Sequence, residues 1–251
     1  MSTSTTTGAA GGTAAARSPL ARAVRHLART NLVVAAWFGV VMLVLWAGAV
    51  GVAAAVTGGD VDISMAQFAR QGTIWFPFAL AIAVFSGHHM PHIAAGLTRR
   101  VLARATLVLA ALMTVAYAGV IAVLFALERV LYGMTGWEQR ITEDGWFPAL
   151  PTDVLAVVLL HAVAIAAAQV SGLLVAVVYQ RAGAWWGTVA LPLTVGPLLL
   201  VIAATSGDVR LDALAGFTLP VRLAVSAAAI GVAAAAYTYH VRRIALRPVR
   251  T

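Results

Sequence analysis

Long uncharged stretches separated by short charged ones set the rhythm of this chain. No Asp, Glu, Lys or Arg occurs in residues 31–59, 71–98, 105–127, 154–180, 182–207 or 223–241. Each run has about 19 residues or more, enough for an α-helix rising 1.5 Å per residue to cross a ~30 Å hydrocarbon core. Inside such a core the backbone has no water to bond and must satisfy itself, which a helix does. The short alternating segments of a transmembrane barrel are missing. The pattern predicts an all-α integral membrane protein with six transmembrane helices.

The segments outside these runs add four features. Residues 1–16, rich in Ser, Thr, Gly and Ala, read as a disordered N-terminal tail without the apolar core of a signal peptide. In residues 17–30, Leu20, Val24 and Leu27 share one helical face while Arg22, Arg25 and Arg29 share another. That spacing predicts an amphipathic helix on the cytoplasmic face of the membrane, ahead of a six-span domain over 31–251. The longest loop, 128–153, mixes acids with Trp137, Trp146 and Phe147 and is expected to cap the outer side. The segment GDVRLDALAGFTLP before the last run is a candidate for partial re-entry into the membrane.

Composition agrees with the rhythm. The chain has 251 residues, 61% of them hydrophobic and 10% charged, where a soluble domain carries roughly 25% charged residues. There is no cysteine and no lysine, which excludes thiolate metal sites, a P-loop lysine and a Schiff base. No enzyme activity and no cofactor on this chain are expected.

Charge gives the orientation. With both termini in the cytoplasm, twelve of the seventeen arginines fall inside, and all nine acids, Glu128 among them, fall in outer loops. This follows the positive-inside rule and places the chain in the inner (cytoplasmic) membrane. The basic balance faces lipid headgroups and cytoplasmic partners. Nucleic acid is not expected, because the inner arginines are divided among short segments.

Several features are candidates for chemistry. Small residues recur at every fourth position as Ala47, Gly51 and Ala55, as Ala164, Ala168 and Gly172, and as Ala227, Gly231 and Ala235. Such stripes serve either packing within one bundle or a dimer seam. Pro77 and Pro91 interrupt the second run and Pro192 and Pro197 the fifth, each removing a backbone donor. His161 and Gln169 are polar groups within the fourth run, serving either as path-lining residues or as helix-to-helix hydrogen bonds. Neither has an acid beside it in a run, which speaks against a proton-coupled carrier.

The stretch SGHHMPHIAAGLTRR, residues 86–100, holds His88, His89 and His92. Two imidazoles one turn apart can hold zinc. Here Pro91 intervenes and no inner Asp, Glu or Cys completes a site, so no metal is expected. The latter half, through Met90, Pro91, Gly96, Thr98, Arg99 and Arg100, resembles small actinobacterial permease subunits of ABC-2 type transporters. The turn through Tyr179, Arg181 and Gly183 resembles the same family. The resemblance implies a permease that pairs with a second copy or a homologue and docks on a separate ABC ATPase subunit, exporting a substrate. It implies ATPase coupling through Gly96, Thr98, Arg99, Arg100 and Arg181. Apart from the resemblance, Phe76, Phe78, His161 and Gln169 are the candidates for lining a translocation path. The rival reading is a membrane anchor or sensory subunit that transports nothing.

Overall fold

The computed structural model describes residues 18–94, 96, 98–139, 154–205 and 218–244. Among them every regular element is helical: α1 (Pro19–Thr57), a 3-10 turn (Ala66–Phe68), α2 (Ala69–Ala94), α3 (Arg99–Thr135), α4 (Val154–Val189), α5 (Leu191–Thr205) and α6 (Leu219–Arg242). Five helices are long and apolar enough to cross a membrane; α5 is the shorter exception. The expected tail at 1–16, residues 140–153 of the expected cap and nearly all of the candidate re-entrant segment lie outside the described residues.

Two elements depart from the sequence expectation. The amphipathic stretch is not a separate element, because α1 runs unbroken through 39 residues. Pro19 opens it behind the Ser18 cap, and no glycine or proline follows before Gly39, so nothing stops the helix. The two faces still separate: Leu27 is buried while Arg22, Arg25 and Arg29 are exposed.

The fifth uncharged run is divided. Gly183 takes φ 82° and ψ 175° inside α4, a conformation open to glycine and strained for other residues. Helical backbone resumes to Val189, turns at Ala190, and continues as α5. Pro192 has no N–H to offer the carbonyl one turn back, so the break falls just before it. By itself α5 has 15 residues, about 22 Å of helix, too short for the hydrocarbon core. In contrast, α2 continues helical through both Pro77 and Pro91.

α4 is the centre of the bundle. It packs on α2, α3, α5 and α6, and 78% of its most apolar stretch is buried, against 17% for α1 and 11% for α6. Its small-residue stripe is the one used internally: Ala164 and Ala168 are buried, and a Cβ on Gly172 would run into the carbonyl oxygen of Phe78. Small side chains here let α2 and α4 touch backbone to side, which favours association where lipid tails compete equally for apolar contact. The matching stripes on α1 and α6 are exposed.

Candidate functional site

Successive helices alternate in direction, so the bundle has two chemically distinct ends. One carries Arg22, Arg25, Arg29, Arg99, Arg100, Arg104, Arg181, Arg242 and Arg243 and is here called the basic end. The other carries the described acids Asp60, Asp62, Glu128 and Glu138 and is called the acidic end.

At the basic end, α2 passes to α3 through a short joint. Gly96 has φ 83°, the left-handed region that glycine occupies without a steric penalty. Thr98 is the N-cap of α3, its hydroxyl accepting from the Val101 amide at 3.3 Å, which satisfies one of the donors orphaned at a helix start. Arg100 is exposed. Arg99 turns sideways and donates to the Arg242 carbonyl of α6 at 3.3 Å. Arg181, at the end of the long part of α4, reaches the same helix: its guanidinium lies 2.9 Å from His240 Nδ1. The five expected coupling residues thus fall into a joint (Gly96, Thr98), one outward arginine, and two arginines that tie α3 and α4 to the last turns of α6.

The expected path residues are packed against neighbours. Phe76 stacks on Phe38 with ring centroids 4.6 Å apart, and Phe78 meets Trp75 edge-on at 5.8 Å. His161 is buried with its ring against Phe125 at 6.0 Å. Gln169 is buried and donates from Nε2 to the Ala110 carbonyl at 3.1 Å, a hydrogen bond from α4 to α3. One turn nearer the basic end, the Thr106 and Tyr237 hydroxyls join α3 to α6 at 2.7 Å. The side chains of His88, His89 and His92 lie outside the described residues.

The acidic end holds the residue that the sequence misplaces. Glu128 is not in a loop but within α3, and is fully buried. Its Oε1 accepts from Trp46 Nε1 of α1 at 3.2 Å and from the Ala66 amide at 2.8 Å. Its Oε2 accepts from the Ser64 hydroxyl and from Gln139 Nε2, the latter at 2.9 Å. Around it, the Tyr132 hydroxyl donates to the Ile63 carbonyl at 2.9 Å and Trp137 Nε1 to the Gly59 carbonyl at 2.7 Å. The connection from α1 to α2 is therefore laced onto the end of α3. Arg70, also expected in an outer loop, is a buried residue of α2 whose guanidinium lies 3.4 Å from Thr205 Oγ1 of α5.

No protein-family model, curated protein or solved structure matches this chain. Its chemistry rests on its own geometry. A buried acid is present, so the case against a proton-coupled carrier loses the premise that none exists. The surroundings of Glu128 give it a structural role. Three of its partners are N–H groups, which only donate, and together with the serine they occupy both oxygens. Both of its oxygens hold three chain segments together. Glu128 was detectable in the sequence by period rather than by charge. Ile121, Leu124, Phe125, Glu128 and Tyr132 fall on one helical face and are all buried, so the apolar stripe continues past the point where the uncharged run stops.

Proposed function

We propose that this chain is the permease subunit of an ATP-driven exporter of the ABC-2 kind. It sits in the cytoplasmic membrane with both termini inside, pairs with a second copy or a homologue, and receives energy from a separate ATPase subunit. The sixth span of this reading is the helical backbone of 184–189 continued by α5, and the opening turns of α1, with their exposed arginines, are its interfacial portion. The observation that carries the reading is the joint between α2 and α3. A left-handed glycine, a capped helix start and the outward Arg100 lie at one end of two long helices, and Arg99 links that joint to α6. A push on this joint is transmitted to three helices. The resemblance of this stretch to permease coupling loops supports the same role. The exposed small-residue stripes of α1 and α6 support pairing with another membrane subunit.

A second reading, a non-transporting anchor, is favoured by one observation: His161 and Gln169 are buried against α3 and the Phe76 ring stacks on Phe38 of α1, all within the same chain. In the exporter reading the path forms between subunits.

Purification in mild detergent with identification of co-purifying proteins separates the two. The exporter reading expects an ABC ATPase to co-purify, and Arg99→Gln/Arg100→Gln to release it or to uncouple ATP turnover from transport. Truncating one partner of a buried, hydrogen-bonded charge pair at an interface costs about 2–5 kcal/mol. Absence of any ATPase from the purified complex favours the anchor. Full coupling in the double variant reduces these arginines to topogenic charge.

A further inference from the structure

Beside the joint, the basic ends of α4 and α6 enclose a cleft of about 420 Å³ lined by Val178, Arg181, Ala182, Tyr239 and His240. We infer that this cleft binds a phosphate-bearing anion, the headgroup of an anionic phospholipid. The inference does not depend on transport or on an ATPase.

The polar side of the cleft is made of donors. A guanidinium has no acceptor, so in the Arg181–His240 contact of 2.9 Å the imidazole Nδ1 must accept. The ring proton then resides on Nε2, which is itself a donor. Arg181 is exposed and keeps its remaining N–H groups beyond the one directed at His240. A second guanidinium stands at the rim, where Arg243 lies over the Tyr239 ring at 4.3 Å. The described acids all belong to the opposite end of the bundle. A site of several donors, cationic and without a nearby described carboxylate, selects an anion with several acceptor oxygens, and phosphate matches a guanidinium fork bidentately.

The other side of the cleft is apolar. Val178, Ala182 and the Tyr239 ring form its wall, continuous with the flanks of two long apolar helices. Trp185 and Trp186, four and five residues past Arg181, are 75% and 65% exposed, and exposed tryptophans favour the headgroup level of a bilayer. A phosphate on Arg181 and His240 with an acyl chain along Ala182 and the exposed Tyr239 ring fits both sides at once. Basic pockets between transmembrane helices recognise lipid headgroups by this combination. A free phosphate would use the donors and leave the apolar wall uncovered.

The test is native mass spectrometry of the full chain in neutral detergent, with phosphatidylglycerol, phosphatidylcholine or inorganic phosphate added in turn. Wild type should retain one phosphatidylglycerol in preference to phosphatidylcholine, and millimolar inorganic phosphate should not displace it. Arg181→Gln/His240→Ala should lower that retention on the order of tenfold, the effect of losing charge-assisted hydrogen bonds. Arg181→Lys keeps the charge without the fork and should fall between the two, and it decides the matter if the double variant does not fold. Arg129→Gln, an exposed arginine near the acidic end, should behave as wild type. Equal retention of the two lipids by wild type overturns the inference, as does undiminished phosphatidylglycerol in the Arg181 variants. Displacement by inorganic phosphate would assign the site to a soluble anion and overturn the lipid assignment.

Discussion

At the acidic end, donors from α1, from the connection before α2 and from the residue stretch after α3 converge on one buried carboxylate. At the basic end, the outermost ties between helices are made by arginines that are exposed or half-buried, Arg99 to a backbone carbonyl and Arg181 to an imidazole, with the buried Thr106–Tyr237 bond further in. Glycines with positive φ occur at both ends, so flexible joints alone do not distinguish them. What differs is the fate of the next residues. After Gly58 and Gly59 the chain is bonded to Trp137, Tyr132 and Glu128 within a few positions. After Gly96, among the described residues, it meets the cap of its own helix, with Arg99 as an outrigger. The buried bonds of the first kind, those of Ser64 and Ala66 to Glu128, gain strength from the low dielectric around them and are costly to leave unmade. Exposed bonds of the second kind exchange readily with water and contribute little.

The comparison breaks most sharply at Glu128. Glu128→Ala removes the acceptor for Trp46, Ser64, Ala66 and Gln139 together and leaves buried donors unsatisfied. The expected cost is about 3–5 kcal/mol. Hydrogen exchange should show amides of Ala66 and the α1–α2 connection losing protection while those of the first turns of α3 keep theirs. Uniform loss along all helices would mean that the acidic end is not a separate latch.

A smaller effect is expected midway between the ends. Gly172→Ala places a Cβ against the Phe78 carbonyl and 3.0 Å from Ala81 Cβ, and backbone cannot rotate aside as a side chain can. Helices α2 and α4 must separate slightly, at about 1–3 kcal/mol for overpacking. Because α4 touches both ends, the midpoint of detergent-induced unfolding should fall without changing the relative protection of the two. The control is Gly231→Ala on α6, where nothing lies within 4 Å of the added Cβ and no loss is expected. If Gly172→Ala is equally silent, the close approach of α2 to α4 is not a constraint.

Much of this architecture is written in local sequence. Uncharged length marks the long helices. The Leu20/Val24/Leu27 and Arg22/Arg25/Arg29 faces separate as their spacing requires, and Thr98 ahead of an arginine pair signals a cap. Other features depend on which neighbour a residue meets. The Ala-Gly stripes of α1, α4 and α6 look alike in sequence, yet only that of α4 is buried, because only α4 is surrounded. The continuity of α1 past residue 30 follows from an absence of breakers, a negative signal that amphipathic patterning overshadowed. Glu128 was hidden by treating a charge as the end of a span. A carboxylate can continue an apolar face when donors from three segments are brought to it, and those donors lie 62 to 82 residues away or just beyond the helix.

The smallest expected effect sharpens the comparison from the basic side. Thr98→Ala removes one cap bond of 3.3 Å at an exposed helix start. N-cap losses of this kind cost about 1 kcal/mol, and here the neighbouring water can bond the freed Val101 amide. Global unfolding should therefore shift little, while the first turn of α3 frays and exchanges faster. Thr98→Ser or Thr98→Asp keeps an acceptor at the same position and should restore protection, which a purely steric role for the threonine methyl would not do. The decisive reading is relative. If the loss in Thr98→Ala stays within that first turn, the joint is a local hinge whose order is set by one hydroxyl. If it spreads to α6 through Arg99 and the Arg242 carbonyl, the basic end is a cooperative unit like the acidic one, and the contrast between the ends disappears.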